Sequence, residues 1–197
     1  DVENRQFELV QELADNVELP VQVTIASGFP KGDKLEFITQ KVTELGASQI
    51  WGFPADWSVA KWDGKKLGKK VEKLEKITLG AAEQSKRNFV PSITLFEKKA
   101  DLLAQLDQFD RIVVAYEESA KEGEAAALIQ SLTGLEAGSK LLFIFGPEGG
   151  LSPAEIESFT AKGAVLAGLG PRILRAETAP LYALSAVSVV TELMKNA

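Results

Sequence analysis

The stretch that decides the fold is "LLFIFGPEGGLSPAEI", which runs from Leu141 to Ile156. It begins with an apolar run, passes through a turn with three glycines, and ends in the start of an amphipathic helix. Ser152 is a suitable N-cap, Pro153 suits the first helical position, and Glu155 completes a Ser-x-x-Glu capping box. The pattern therefore predicts a buried strand that leads through a glycine turn directly into a helix.

The same alternation of strand and helix patterns extends over most of the chain. The predicted strands are Val21–Ser27, Ser48–Phe53, Ile93–Phe96, Arg111–Tyr116, Lys140–Phe145 and Ala164–Leu169. The predicted helices are Lys34–Leu45, Lys65–Ser85, Ala100–Leu106, Glu124–Leu132, Pro153–Lys162 and Thr178–Lys195. Such alternation predicts an α/β fold with a mostly parallel sheet and helices on both faces. We interpret residues 21–197 as one domain and residues 1–20 as a lead-in.

The composition excludes several classes of chemistry. The 197 residues include no cysteine and no histidine. Disulfides, thiolate zinc sites, cysteine nucleophiles and histidine-based triads are therefore ruled out, and no metal site is predicted. No apolar run approaches the roughly 20 residues that a membrane span needs, so we expect no membrane partner and a cytoplasmic location. Any proton transfer falls to Asp, Glu, Lys, Tyr, a bound substrate or water.

The net charge of −6 is unevenly distributed. Residues 1–20 carry six acidic side chains and one basic side chain, whereas residues 31–90 carry twelve basic and eight acidic ones. The lysines of this basic segment cluster at Lys61, Lys65, Lys66, Lys69, Lys70, Lys73 and Lys76. A lysine-rich helix face is usually just solvated, and the alternative is a surface that binds phosphate groups.

The glycine turn at residues 146–150 has two interpretations. It is either a tight connection that needs positive φ angles or a ligand-binding loop, because ligands of open α/β sheets bind beyond the carboxyl ends of the strands. The turn has neither the G-x-G-x-x-G pattern nor a Walker lysine, and Glu148 would repel a phosphate. A carboxylate suits ribose hydroxyls or a cationic centre, so the turn favours a nucleoside-type ligand that is neutral or positively charged.

A second loop, "LGPRILRAETAP" from Leu169 to Pro180, also follows an apolar strand and opens a helix. Pro180 is tolerated only in a first helical turn, which places the helix start near Thr178. Arg172 and Arg175 lie in this loop. They are either a solvated surface pair or part of the same ligand site as the first loop.

Four motifs together resemble the RsmE family of the SPOUT superfamily. They are "KGDKLEFITQKVTELGAS" at residues 31–48, "AAEQSKRNFVP" at 81–91, "GPEGGLSPAEI" at 146–156 and "LGPRILRAETAP" at 169–180. Members of this family are S-adenosylmethionine-dependent methyltransferases that modify N3 of a uridine in 16S ribosomal RNA. The resemblance implies a SPOUT-type α/β fold with a C-terminal trefoil knot, a homodimer, and 16S rRNA or the small ribosomal subunit as partner.

The resemblance also implies where the S-adenosylmethionine pocket lies. Its walls would come from the two glycine loops, through Gly146, Pro147, Glu148, Gly149, Gly150, Leu169, Gly170, Arg172, Ile173 and Leu174. For catalysis, Arg175 is the candidate to stabilise negative charge on the uracil oxygens. Glu177 is the candidate proton acceptor, and Glu148 is the alternative.

The candidate RNA-binding residues are Lys31, Lys61, Lys69, Arg87 and Asn88. For Arg87 and Asn88 the alternative interpretation is a helix cap followed by a turn. Trp57 and Trp62 flank the lysine cluster, and they either stack on bases or anchor the segment in the core.

The chain departs from the family pattern at two places. Family members usually begin with a PUA-like RNA-binding domain, so residues 1–20 are interpreted as the tail of such a domain. Trp57 occupies a position where the family usually has an arginine before the serine, and Lys61 is the nearby candidate to replace it. Two other functions stay open: a SPOUT ribose 2′-O-methyltransferase of rRNA or tRNA, and a non-catalytic nucleotide- or RNA-binding module.

Overall fold

The computed structural model describes residues 16–116 and 125–194. The strands are β1 (Gln22–Gly28), β2 (Gln49–Phe53), β3 (Ser92–Leu95), β4 (Arg111–Ala115), β5 (Lys140–Phe145) and β6 (Val165–Ala167). The α-helices are α1 (Lys34–Glu44), α2 (Gly64–Gln84), α3 (Lys99–Leu103), α4 (Ala125–Leu132), α5 (Pro153–Thr160) and α6 (Ala179–Ser188). A short 3₁₀ helix spans Leu106–Gln108, and a π-helical turn, Val189–Leu193, continues α6.

The six strands form one sheet in the order β3-β2-β1-β5-β4-β6, and every neighbouring pair is parallel. The predicted α/β class and parallel sheet are confirmed. The central pair is β1 and β5, whose register aligns Gln22 with Lys140 and Ser27 with Phe145. Both strands are almost fully buried, as their uninterrupted apolar runs predict for the middle of a parallel sheet.

Helices cover both faces of the sheet. On one face, Ile38 and Val42 of α1 and Leu184 and Val187 of α6 pack against β1 and β5 in one buried cluster. On the other face, a second cluster joins side chains of β2, β4 and β5 to α3 and α5. Helix α2 packs against α1 and against the edge strand β3.

Most predicted boundaries hold within two residues, and the differences have local causes. The predicted strand Ala164–Leu169 shortens to β6, because this edge strand pairs with β4 alone and the chain leaves the sheet after Ala167. The predicted helix Ala100–Leu106 divides into α3 and the 3₁₀ helix. Glu124, predicted as a helix start, and Lys195, predicted as a helix end, lie outside the described residues.

The parallel sheet gathers several loops at one edge. The loops that follow β1, β2, β5 and β6 all leave the carboxyl ends of their strands, and these ends lie side by side in a parallel sheet. The two glycine loops follow β5 and β6, which are separated by β4 alone. The sheet therefore brings together loops that are distant in sequence.

The trefoil knot stays a prediction. Within residues 16–116 and 125–194, no helix is long and apolar enough to cross a bilayer.

Candidate active site

A pocket of about 620 Å³ lies at the carboxyl edge of the sheet, between the loops that follow β5 and β6. All ten residues predicted to bind the cofactor line this pocket, and Arg175 lines it too. They are Gly146, Pro147, Glu148, Gly149, Gly150, Leu169, Gly170, Arg172, Ile173 and Leu174. A volume of this size is typical of sites for small molecules and cofactors. The structure thus joins the two glycine loops in one cavity.

The glycine turn is closed by contacts that only glycine allows. Gly150 has a φ of +78°, and its N–H donates to the carbonyl of Pro147 at 2.9 Å. A Cβ at Gly146 would lie 2.5 Å from the carbonyl carbon of Gly150. The main chain therefore folds back on itself and is exposed to the pocket without a side chain in between.

The predicted capping box holds the end of this turn. The Ser152 N–H donates to Glu155 Oε2 at 2.9 Å, and the Glu155 N–H donates to Ser152 Oγ at 3.2 Å. Glu155 is fully buried. The capping prediction is confirmed, and it fixes the glycine turn to the first turn of α5.

Lys34 connects the two glycine loops, and sequence reasoning did not assign it to the site. Its Nζ lies 2.9 Å from Glu148 Oε1 and 3.2 Å from Glu177 Oε2, and Lys34 itself lines the pocket. Glu148 Oε1 also accepts a hydrogen bond from the Lys31 N–H at 3.1 Å. One signal was available in the sequence: Lys34 begins the helix that follows β1, the strand next to β5.

The shared ammonium group and nearby backbone N–H groups keep both carboxylates ionised. Burial raises the pKa of Glu148, but hydrogen bonds from Lys34 and from backbone N–H groups outweigh it and lower that pKa. Burial likewise raises the pKa of Glu177, and hydrogen bonds from its own backbone and from Lys34 lower it overall. Hydrogen bonding to Glu148 raises the pKa of Lys34 against the opposing effect of burial. All three groups are therefore charged at neutral pH.

The arginines of the second loop extend to the outer side of the pocket. The Arg175 side chain is 84% exposed, and its Nη1 lies 3.9 Å from Glu177 Oε1. Arg172 and Ile173 are exposed as well. In contrast, the Glu177 side chain is only 17% exposed, contacts Lys34 and does not itself line the pocket. Arg175 is therefore free to bind a ligand, while Glu177 is held in place by Lys34.

The two tryptophans that flank the lysine cluster have different surroundings. Trp57 lines the pocket and is 49% exposed. Trp62 packs on the buried ring of Phe29 with centroids 4.4 Å apart, and Lys70 Nζ lies 5.0 Å from the Trp62 ring centroid. Trp62 is thus an anchor, whereas Trp57 belongs to the pocket.

The residues predicted to bind RNA fall into two groups. Lys31, Lys61, Lys69 and Asn88 are exposed, and Lys69 forms no ion pair with any residue in the described ranges. Other lysines of α2 are partly neutralised, because Lys70 and Lys73 pair with Glu36 at 3.3 Å and 2.6 Å.

Arg87 does not share this exposed arrangement. Its side chain is 3% exposed and pairs with Glu18. Its Nη1 donates to the carbonyls of Thr43 and Ala47 at 2.8 Å and 2.9 Å. The geometry favours the structural alternative for this residue, because every guanidinium nitrogen is hydrogen-bonded to Glu18 or to backbone carbonyls of the chain. The RNA-binding prediction is therefore not carried forward for Arg87.

A parallel α/β sheet with a glycine-lined, carboxylate-bearing pocket at its carboxyl edge is the arrangement of a nucleotide- or nucleoside-binding enzyme. Comparison with known proteins narrows this class. Residues 17–188 match the model of a family described as an RNA methyltransferase domain. Ribosomal RNA small subunit methyltransferase E of Bacillus subtilis is 55% identical over 182 residues, which are 92% of this chain and 71% of that protein.

Two further relatives agree with this match. The Mycobacterium bovis protein of the same name is 32% identical over 86% of this chain and 63% of its own length. A crystal structure of the Neisseria gonorrhoeae enzyme of that name, bound to S-adenosyl methionine, is 27% identical with a TM-score of 0.76 and covers 92% of this chain and 72% of that chain. The chain therefore belongs to the RNA methyltransferase family that includes ribosomal RNA small subunit methyltransferase E. It spans less than two thirds of the length of the mycobacterial relative.

Proposed function

We propose that the protein is an S-adenosylmethionine-dependent methyltransferase that modifies N3 of a uridine in 16S ribosomal RNA. The observation that carries the proposal is the joining of both glycine loops in one pocket of about 620 Å³ at the carboxyl edge of the sheet. The 55% identity to a small-subunit rRNA methyltransferase supports the substrate class. The N3 position rests on the resemblance of the four sequence motifs.

The residues of the pocket fit this cofactor. The side-chain-free turn at Gly146–Gly150 allows backbone groups to approach an adenosine closely, and the apolar residues Leu169, Ile173 and Leu174 offer a surface to its adenine. Glu148 is ionised and suits a ribose hydroxyl or a positively charged sulfonium. The bound cofactor supplies the methyl group that is transferred.

The residues near the pocket also fit a role in methyl transfer to uracil. The exposed Arg175 guanidinium lies at the pocket, where it can donate hydrogen bonds to uracil oxygens and stabilise the negative charge that forms as the N3 proton leaves. The lowered pKa values of Glu177 and Glu148 make both carboxylates weak proton acceptors. Glu148 lines the pocket and is the alternative proton acceptor, whereas Glu177 does not line it and contributes by holding the second loop through Lys34.

The RNA would approach over the basic segment. Lys31, Lys61, Lys69 and Asn88 are exposed and available to phosphate oxygens. Such contacts position RNA without reading its sequence. An RNA-binding domain that precedes the present chain would add affinity, and residues 1–20 are proposed as its connection. Because the proposed substrate is ribosomal RNA, we propose a cytoplasmic location.

We further propose a homodimer that forms through the last helix. Tyr182, Val189, Leu193 and Met194 are between 39% and 65% exposed, and Val190 packs partly on the core. So much exposed apolar surface on one helical segment is typical of an interface. A dimer would bring this surface, and the adjacent exposed Ile173 of the pocket, out of water.

The proposal is tested in two steps on the same preparation. Calorimetry first measures the affinity for S-adenosylmethionine. The protein is then incubated with small ribosomal subunits and labelled cofactor, and the RNA is digested to nucleosides for mass analysis. Recovery of 3-methyluridine supports the proposal. A 2′-O-methyl nucleoside would instead identify a ribose methyltransferase, and cofactor binding without any methylated product would favour the non-catalytic module.

A further inference from the structure

Trp57 forms a wall of the pocket that comes from neither glycine loop. It lies in the segment that follows β2 and lines the cavity. A Cβ at Gly149 would lie 3.1 Å from the Cβ of Trp57, and a Cβ at Gly150 would lie 3.9 Å from Cζ3 of the indole. The indole therefore extends along the glycine turn, and about half of the residue stays open to solvent.

The residue before Trp57 is fixed by a charged network. Asp56 Oδ1 lies 2.5 Å from Lys99 Nζ, and Asp56 Oδ2 accepts a hydrogen bond from Ser152 Oγ at 2.5 Å. The Asp56 N–H donates to the fully buried Glu155 at 3.0 Å, and Lys99 contacts the same carboxylate at 3.1 Å. The hydrogen bond from Lys99 lowers the pKa of Asp56, so the Asp56 carboxylate is charged at neutral pH.

This network holds Trp57 at the pocket although the indole is not buried by the domain. The indole is half exposed and lines the pocket, so it is available to a ligand that enters there. A rigid aromatic ring also loses little conformational entropy when a partner binds. The chemistry that suits a flat exposed indole is the face of another planar ring.

The segment after Trp57 indicates which kind of ligand would stack on the indole. It leads through the exposed Lys61 into α2, where Lys65, Lys66 and Lys69 are exposed. Single-stranded nucleic acid is typically bound by cationic side chains that follow its backbone, next to aromatic side chains on which its bases stack. Lys61 lies only four residues after Trp57, so one RNA strand can contact both the lysines and the indole at the pocket.

We propose that Trp57 is the stacking surface for a base of single-stranded RNA at the pocket entrance, and that Asp56 is the residue that positions it. This inference rests on the proposed function, because it assigns the RNA side of the same pocket. The cofactor would contact the glycine loops, and the RNA base would contact the indole.

The test measures the binding of a fluorescein-labelled oligouridylate by anisotropy, with S-adenosylhomocysteine present. Trp57→Ala is expected to weaken oligonucleotide binding about tenfold or more, as for one lost stacking contact, and Trp57→Phe to retain most of the affinity. The matched control is Val59→Ala, which changes an apolar residue of the same segment that is 66% exposed, and it should leave oligonucleotide binding unchanged. Affinity for S-adenosylmethionine, measured by calorimetry, should stay the same in Val59→Ala and should fall much less than oligonucleotide affinity in Trp57→Ala.

A second comparison tests the positioning role of Asp56. Asp56→Ala should weaken oligonucleotide binding in the wild-type background and add no further loss in the Trp57→Ala background. Asp107→Ala removes a different exposed ion pair, with Lys162 at 3.1 Å, and should leave binding unchanged. Additive losses in the double variant would show that Asp56 does not act through Trp57.

Three outcomes overturn the inference while the proposed function stands. One is oligonucleotide binding by Trp57→Ala that equals wild type. The second is an equal loss of S-adenosylmethionine affinity in Trp57→Ala, which would assign the indole to the cofactor. The third is a wild-type protein that binds S-adenosylmethionine but not the oligonucleotide. Failure of the wild-type protein to bind S-adenosylmethionine would instead refute the proposed function itself.

Discussion

Lys34 Nζ lies 2.9 Å from Glu148 Oε1, which connects the first residue of α1 to the middle of the glycine turn after β5. The same ammonium group lies 3.2 Å from Glu177 Oε2, at the entrance to α6. Three segments of the chain thus meet at one cation, and two of them are the loops that line the pocket. Lys34 lies in α1 and in neither loop, yet it contacts a carboxylate of each loop and so helps to set the distance between them.

Replacement of Lys34 should therefore damage the pocket more than the fold. Lys34→Met leaves the carboxylates of Glu148 and Glu177 without their shared cation, and we expect the affinity for S-adenosylmethionine to fall about tenfold or more, as for a lost charged hydrogen bond. Calorimetry measures this affinity directly. Lys34→Arg should recover part of it, because a guanidinium can bridge two carboxylates.

The matched control is Lys41→Met. Lys41 lies on the same helix with a similar side-chain exposure and pairs only locally, with Glu44 at 2.8 Å. Its loss should leave cofactor affinity unchanged. Equal affinities in the Lys34 and Lys41 variants would contradict a role for Lys34 at the pocket.

The same ion pairs predict how stability depends on pH. The pKa values of Glu148 and Glu177 are lowered from 4.5, so their stabilising contribution is present above pH 4.5 and is lost as the pH falls through the lower folded-state values. The pKa of Lys34 is raised from 10.5, so its contribution is lost only as the pH rises through that raised value. The groups are partly exposed, so the effect is small, about 2–4 °C in melting temperature.

Melting curves at several pH values check this. The difference in melting temperature between wild type and Lys34→Met should be constant between about pH 5 and pH 10 and should shrink below pH 4.5. A difference that grows on acidification would show that the carboxylates are not stabilised by Lys34.

Gly149→Val should disturb the pocket from the side of Trp57. A Cβ at this position already lies 3.1 Å from the Cβ of Trp57, so the branched side chain must displace the tryptophan or enter the cavity. We expect a loss of S-adenosylmethionine binding and a nearly unchanged circular-dichroism spectrum. Gly68→Val in α2 is the control, because a Cβ there meets no atom within 4 Å. Unaltered affinity in a folded Gly149→Val protein would exclude this turn from the cofactor site.

Arg175→Ala should separate catalysis from binding. If the guanidinium stabilises charge on the uracil oxygens, the single-turnover methylation rate falls roughly 100-fold, the magnitude for one lost oxyanion donor. The affinity for the cofactor should change much less, because Arg175 is 84% exposed at the pocket while the glycine loops form its walls. A full rate in this variant would leave Arg172 as the better candidate, and parallel losses in rate and affinity would make Arg175 a cofactor ligand.

The last helix should mediate dimerisation. Leu193 is 64% exposed, and we expect Leu193→Glu to shift light-scattering masses from twice the 21.3 kDa chain mass towards the monomer. Leu79→Glu on α2 introduces the same charge at a residue that is 48% exposed on another surface and should not alter the mass. A monomeric wild-type protein at micromolar concentration would refute the proposed dimer.

Local patterns were sufficient to predict much of the fold. The capping box of Ser152 and Glu155 could be predicted because its two partners are only three residues apart in the sequence. The parallel sheet followed from the alternation of apolar runs and amphipathic stretches, and parallel strands place their carboxyl ends at one edge. The two glycine loops follow strands of that sheet, and for this reason their predicted residues meet in one pocket.

The sequence by itself could not determine which distant charged groups meet. Whether Arg87 faces solvent or pairs with Glu18 depends on how the lead-in packs, and a list of residues shows no difference between an exposed guanidinium and a buried one. The sequence likewise does not distinguish Lys34 from the other lysines, because its contact with Glu148 forms only when β1 and β5 pair in the sheet. Local hydrogen bonds and hydrophobic periodicity involve residues that are close in sequence, so they can be predicted from the sequence alone. Ion pairs between separate loops depend instead on the tertiary packing that brings those loops together.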